Sequence, residues 1–187
     1  MPPFQEQYLN RGHAVHFRSH HPDASGMRID IMSAMRGVDP FEQLWDRRTT
    51  VESSEQGESF AVISLPDLVK AKKTQCEKDW PMIRRLIEAD YLAQADPSSD
   101  KIRFWLTESR TAEMLVELAE SFPKEADALV HQRLLLSHAL SKNARALGEA
   151  LEEERAIEVE NDRAYWKPLR KELEELRHQG LATEEPV

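Results

Sequence analysis

At 187 residues and 21.6 kDa, with 40% hydrophobic and 32% charged residues and a mean hydropathy of −0.63, the chain is polar. It still holds enough apolar side chains for one ordinary domain carrying an extension. A formal charge of −9 and a pI near 5.3 argue against long-range attraction to nucleic acid or anionic membrane, so any nucleic-acid contact would be local. The single cysteine, Cys76, excludes an intrachain disulfide or a thiolate zinc cluster and fits a reducing compartment. With no apolar leader in MPPFQEQYLNRGH and no apolar run of membrane length, the expected location is the cytoplasm, with no membrane partner.

In chain order, residues 14–18 (AVHFR) read as a short strand and 27–35 (MRIDIMSAM) as a longer one, joined by the turn formers HHPDASG. Alternation places Met27, Ile29, Ile31 and Met35 on one face and Arg28 and Asp30 on the other. Asp39 is placed to cap a short helix over 40–48 that carries Phe41, Leu44 and Trp45 inward. Two further strands, 49–52 and 60–64, flank the polar loop SSEQGE. Pro66 then suits the first turn of a helix running to about Gln75, and a second helix from Asp79 to about Tyr91 carries Trp80, Ile83, Leu86 and Ile87 at helical spacing.

After Ser98 the sequence predicts helices over 101–108, 111–121, 124–148 and 149–177, with Pro168 bending the last or starting a new one. The expected fold class is α+β: a small mixed β-sheet with helices in the N-terminal half, followed by an all-helical C-terminal extension. Its expected parts are 1–95, 96–180 and a loose tail over 181–187.

The stretch from Ser64 to Arg85 gathers Lys70, Lys72, Lys73, Lys78, Arg84 and Arg85 against Asp67, Glu77 and Asp79, a local balance of +3 in an acidic chain. Such an island points to a phosphate-bearing partner. Lys72 falls on the apolar stripe Leu65, Leu68/Val69, Cys76, so it needs a carboxylate, a phosphate or a route to solvent. Asp30 lies mid-strand between two isoleucines, either on a solvated face or in a site, where a carboxylate beside a lysine would suit Mg²⁺ and phosphate oxygens. His13 and His16 flank a short strand on opposite faces, which argues against shared metal ligation. Cys76 lacks an evident His or acid partner and reads as an inert thiol.

The order of the strand RIDIM, the helix FEQLW and the segment ISLPDLVKAKK…KDW resembles the carboxy-terminal half of minimal nucleotidyltransferase-like domains of the bacterial nucleotidyltransferase superfamily. The similarity continues through KIRFWLTESRTAEMLVELAESFP and YWKPLRKELEELR, segments similar to related bacterial proteins with a helical tail. It covers most of the chain after Gly12. In that superfamily a Gly-Ser turn positions nucleotide phosphate, a D-x-D pair holds Mg²⁺ and a third acid on a later strand completes the metal site. The resemblance implies that Asp30 is that third acid, catalytic and metal-binding. It further implies phosphate contacts by Lys72, Lys73, Lys78 and Asp79, the last two matching the family's K-D pair.

Against this pattern, no Gly-Ser turn and no D-x-D precede Asp30, and Cys76 stands where related chains often carry an arginine. A lone Asp30 does not replace paired acids. The expectation is therefore a degenerate or incomplete nucleotidyltransferase-like protein with a residual nucleotide site. If a partner chain supplied the missing turn and acids, Asp30 and Lys72 would be the local contributors. The competing expectation is a non-enzymatic interaction protein whose carboxy-terminal helices bind a partner or a second copy, for example as one component of a bacterial defence or toxin–antitoxin pair.

Overall fold

The computed structural model describes residues 1–53, 57–74 and 76–182. Its class is α+β, with strands confined to the N-terminal half and long helical stretches after it. The chain forms two compact units: residues 1–71 together with those from Asp162 onward, and Lys72–Asn161.

The first unit begins with α1 (Glu6–Leu9) and β1 (Val15–Arg18), which pairs antiparallel with β2 (Arg28–Ile31), Val15 facing Ile31 and Arg18 facing Arg28. After α2 (Phe41–Asp46), β3 (Thr49–Glu52) pairs antiparallel with β4 (Ser59–Val62), Val51 facing Phe60. The strands thus make two separate two-stranded sheets rather than the one mixed sheet expected. Each strand has four residues and each pair is joined by a short polar link, which suits a hairpin, whereas parallel pairing needs a crossover of about a dozen residues. The longer strand expected over 27–35 stops at Ile31.

Asp39 does not cap α2; its carboxylate accepts from Arg47 Nη2 at 2.7 Å. Helix α3 (Leu65–Ala71) opens at Ser64, whose Oγ accepts the Asp67 N–H at 3.3 Å and donates to Asp67 Oδ2 at 2.6 Å. Asp67 is only 2% exposed and also takes a two-pronged contact from Arg47, at 3.0 Å from Nε and 2.9 Å from Nη2. The helix ends at Ala71, short of the expected Gln75, which lies outside the described residues; Thr74 N–H turns back to the Lys72 carbonyl at 2.9 Å.

The residues of α9 (Ala144–His178) from Asp162 on cover the start of the chain. Gly12 sits beside Tyr165 and Leu169 of this helix, and its φ of 94° is the left-handed backbone that glycine adopts without strain. Glu172 binds buried His13 at 3.0 Å and also Arg11, while Asp162 holds Arg36 at 3.4 Å and Trp166 Nε1 at 3.1 Å. Val15, Val69 and Leu176 complete this small core.

The second unit contains α4 (Asp79–Leu92), α5 (Ser99–Glu108), α6 (Ala112–Ser121), α7 (Pro123–Leu129), α8 (Leu136–Leu140) and the first part of α9. Ser98 caps α5 through the Lys101 N–H at 3.4 Å. Ile83, Ile87, Trp105, Leu106, Leu115, Leu118, Leu136 and Leu147 are fully buried together, and Trp105 Nε1 is satisfied by Asp90 at 2.8 Å. The single helix expected over 124–148 is broken, because Lys142 takes a left-handed φ of 55° and Asn143 Oδ1 recaps the chain at Ala146 N–H, 3.1 Å. Conversely, α9 runs through Pro168 without a restart. Pro168 and Ala164 are exposed, so the carbonyl that loses its donor can turn to water. The tail expected from 181 lies outside the described residues after Ala182.

Burial pushes the Asp67 carboxyl up, but the hydrogen bonds from Arg47 and Ser64 and the nearby charges of Arg47 and Lys70 hold it below the usual range. Hydrogen bonds from His13 and Arg11 do the same for Glu172 against a weaker opposing burial effect. Both carboxyls are depressed, so their stabilisation is complete above the unfolded values of about 4 and is lost as pH falls through the lower folded values. Acid titration followed by circular dichroism should show a stability decline confined to below about pH 4. Asp67→Asn should cost about 1–3 kcal/mol at neutral pH and flatten that decline.

Candidate functional site

Asp30 lies on β2 in the first unit, directly across from His16. Its Oδ1 meets His16 Nδ1 at 2.6 Å and Arg28 Nε at 2.6 Å, and its side chain is nearly half exposed. Partial burial raises its carboxyl, and the Arg28 and His16 contacts outweigh that and lower it. Asp30 is thus the acceptor in a surface triad of His16, Arg28 and Asp30. Its close partners are cationic or imidazole groups, and among the described residues no group of three or more His, Cys, Asp or Glu could hold a metal ion. These donors do not fit Mg²⁺, which needs several convergent oxygens. His13 and His16 have separate partners, Glu172 and Asp30.

Lys72, Lys73, Lys78 and Asp79 lie in the second unit. Lys72 follows the end of α3 rather than occupying its apolar stripe; its ammonium is partly solvated and 3.9 Å from Asp79 Oδ1. Asp79 is buried at the start of α4, where it accepts from Thr74 Oγ1 at 2.9 Å, while Trp80 Nε1 donates to the Thr74 carbonyl at 2.9 Å. Thr74, Asp79 and Trp80 therefore fix the entry to α4. Lys78 is exposed.

Lys73 reaches a charged cluster that sequence reasoning did not identify. It contacts Glu108 at 2.8 Å; Glu108 in turn binds Arg110 at 3.2 Å. Arg110 also reaches Glu154 at 3.1 Å and lies over the Trp80 ring, 5.5 Å from its centroid. Burial, and then the charge of Arg133, lower the affinity of the Arg110 guanidinium for its proton. Arg133, 6% exposed, makes a two-pronged pair with Glu154 at 3.0 and 2.7 Å and donates to the carbonyls of Leu106 at 2.8 Å and Ser109 at 2.9 Å. Lys73, Arg110, Arg133 and Glu154 border a cavity of about 230 Å³ that Glu158 also lines. The signal available in sequence is an arginine among leucines, HQRLLL, where a charge needs an internal partner.

A second feature is apolar. Phe41 and Trp45, expected to point inward from α2, are 64% and 47% exposed. With Met35, Leu44, Val62 and Ile63 they line a groove of about 220 Å³ between α2 and β4, and an adjoining hollow of about 280 Å³ shares Met35, Phe41 and Leu44. Arg48 lies over Trp45 at 4.2 Å from the ring centroid, placing a cation at the rim. Val51, Phe60 and Val62 are also largely exposed. Two-stranded sheets and a six-residue helix supply too little neighbouring surface to cover these side chains.

Comparison of the chain with family models, curated proteins and solved structures finds no match. No helix among the described residues is long and apolar enough to cross a membrane.

The hydrogen bonds of Arg133 make its role a structural test. Arg133→Met should leave Glu154 short of its main partner and two helix-end carbonyls without a donor, lowering stability by about 3–5 kcal/mol in urea unfolding. Arg133→Met with Glu154→Leu should recover part of that loss, because the uncompensated carboxylate is gone.

Proposed function

We propose that the chain is a non-enzymatic protein-binding module whose first unit receives apolar side chains of a partner protein in the groove between α2 and β4. The observation that carries this reading is the exposure of Phe41 and Trp45 beside Met35, Leu44, Val62 and Ile63. Contiguous aromatic and aliphatic surface of this kind, rimmed by charge, is characteristic of protein contacts. Covering one such side chain fully contributes about 1.5–3 kcal/mol, so a few of them supply a useful affinity once ordering costs are met. The reading places the contact in the first unit rather than on the carboxy-terminal helices.

A second reading follows the nucleotidyltransferase resemblance: a residual site for nucleotide phosphate in the second unit. Its support is the convergence of Lys73, one of the implied phosphate contacts, with Arg110 and Arg133 at one cavity. Glu108 and Glu154 oppose it, because an incoming anion must displace or neutralise carboxylates already paired with those cations, and Glu158 adds a further acid to the lining.

Panning a displayed random-peptide library against the full chain tests the first reading. Enriched peptides should carry two or more aromatic or aliphatic anchors, and Phe41→Ser and Trp45→Ser should each weaken them at least about ten-fold without lowering the melting temperature. Absence of enrichment, or binding indifferent to both changes, would overturn it. The second reading predicts calorimetric binding of ATP, CTP, GTP or UTP that Lys73→Ala weakens; no heat from any of the four removes it.

A further inference from the structure

The groove does not use the outer edge of β2. All four residues of β2 are exposed, whereas β1 begins with fully buried Val15 and is the covered member of the pair. Ser19 N–H donates to the Met27 carbonyl at 2.9 Å, which fixes the phase of the ladder. By antiparallel alternation Ile29 and Ile31 turn their backbone groups toward β1, and Arg28 and Asp30 turn theirs outward. Among the described residues those outward groups have no backbone partner. An open edge with alternating apolar side chains is a template for another strand.

The sequence of the edge specifies which strand. In an antiparallel two-fold pairing centred on Ile29, Arg28 faces Asp30 of the second copy, Ile29 faces Ile29 and Met27 faces Ile31. Every residue then meets a complement on its own face. Shifting the centre by one residue sets Asp30 against Asp30 or Arg28 against Arg28, and a pairing centred between residues sets isoleucine against charge. The central register also matches the outward backbone groups, since Arg28 and Asp30 would exchange both N–H···O bonds with their counterparts across the axis. Within one chain, Arg28 faces Arg18 directly across the hairpin, an unfavourable like-charge pair. A second Asp30 beside Arg28 offsets it.

The geometry points to a homodimer formed by two-fold antiparallel pairing of β2 with β2 of a second copy, centred on Ile29, giving one continuous four-stranded sheet. This goes beyond the groove reading and uses a different surface, so either can fail alone. Closed two-fold symmetry satisfies both edges at once and leaves β1 outermost.

Sedimentation equilibrium of the full chain should give twice the 21.6 kDa mass, with dissociation on dilution. Arg28→Asp and Asp30→Arg should each weaken self-association at least about ten-fold, since each sets like charges opposite one another. Mixing the two variants should restore a dimer, now a heterodimer, because the aspartate introduced in one chain then faces the arginine introduced in the other. Rescue by mixing separates pairing from misfolding, and far-ultraviolet circular dichroism checks that each variant is folded. Ile29→Lys, placing two ammonium groups on the two-fold axis, should also give monomer while leaving Arg28 and Asp30 in place. A wild-type chain that stays monomeric, or a dimer indifferent to Ile29→Lys and to both charge reversals, would overturn the proposal.

Discussion

The second unit depends on one buried guanidinium. Its helices run to 14 residues in α4 and only 10, 10, 7 and 5 residues in α5 to α8, lengths at which helical turns are marginal in isolation and must be held by their neighbours. Packing short helices together buries their ends, and the carbonyls there require donors. Arg133 meets that requirement for Leu106 and Ser109, and Glu154 of α9 accepts from the same guanidinium and balances its charge. A lysine could not do this: its compact ammonium lacks the planar fork that bridges a carboxylate and two carbonyls at once. Arg110 and Lys73 then join the same acids, so one network ties the α3–α4 link, the end of α5 and the start of α9.

The first unit solves a similar shortage of length differently. Its strands have four residues each, and a buried polar contact of Asp67 with Ser64 and Arg47 secures α3 to the end of α2. That contact does not provide cover for the hairpins. Apolar side chains of β2, β3, β4 and α2 stay in water, each at a cost that covering it would recover. The second unit joins its buried charges in one network beside its apolar core, and the first leaves clustered apolar groups of its hairpins and α2 on its surface. The surface signature points to association.

Part of the local structure was legible from short-range rules. The hairpin from 14 to 31 follows from alternation and turn formers, and α4 follows from Trp80, Ile83 and Ile87 at helical spacing. The remainder required knowing the neighbours. Phe41 and Trp45 have an inward pattern on α2, but amphipathicity shows only which residues share a face, and nothing in the sequence shows that the face is left open. The break at Lys142 has no glycine to announce it, and Pro168 sits in a helix because its exposed surroundings tolerate the lost bond. Lys72 falls on an apolar stripe only when α3 is extended one turn too far. The Arg133 network joins residues up to 81 positions apart, from Lys73 to Glu154, which pattern reading does not connect.

These contrasts bear on which ligand chemistry suits the molecule. A basic island in sequence is a weaker positive site in space when most of its cations already lie beside an acid: Lys70 has Asp67, Lys72 has Asp79, Lys73 has Glu108, and Arg84 has Glu88. An entering phosphate gains from those cations only what it recovers after their carboxylates are separated from them and left beside it, and a buried pair opened in this way is costly. An apolar anchor entering the groove of the first unit displaces only water from Phe41, Trp45 and Met35, and breaks no ion pair. The same comparison applies at β2, where Arg28 and Asp30 keep their mutual contact and gain opposite charges from a second copy, while Ile29 loses water on both sides of the axis. Where cations already lie beside acids and apolar groups lie in water, binding draws its free energy from desolvation, and the hairpins and α2 offer clustered surface of that kind.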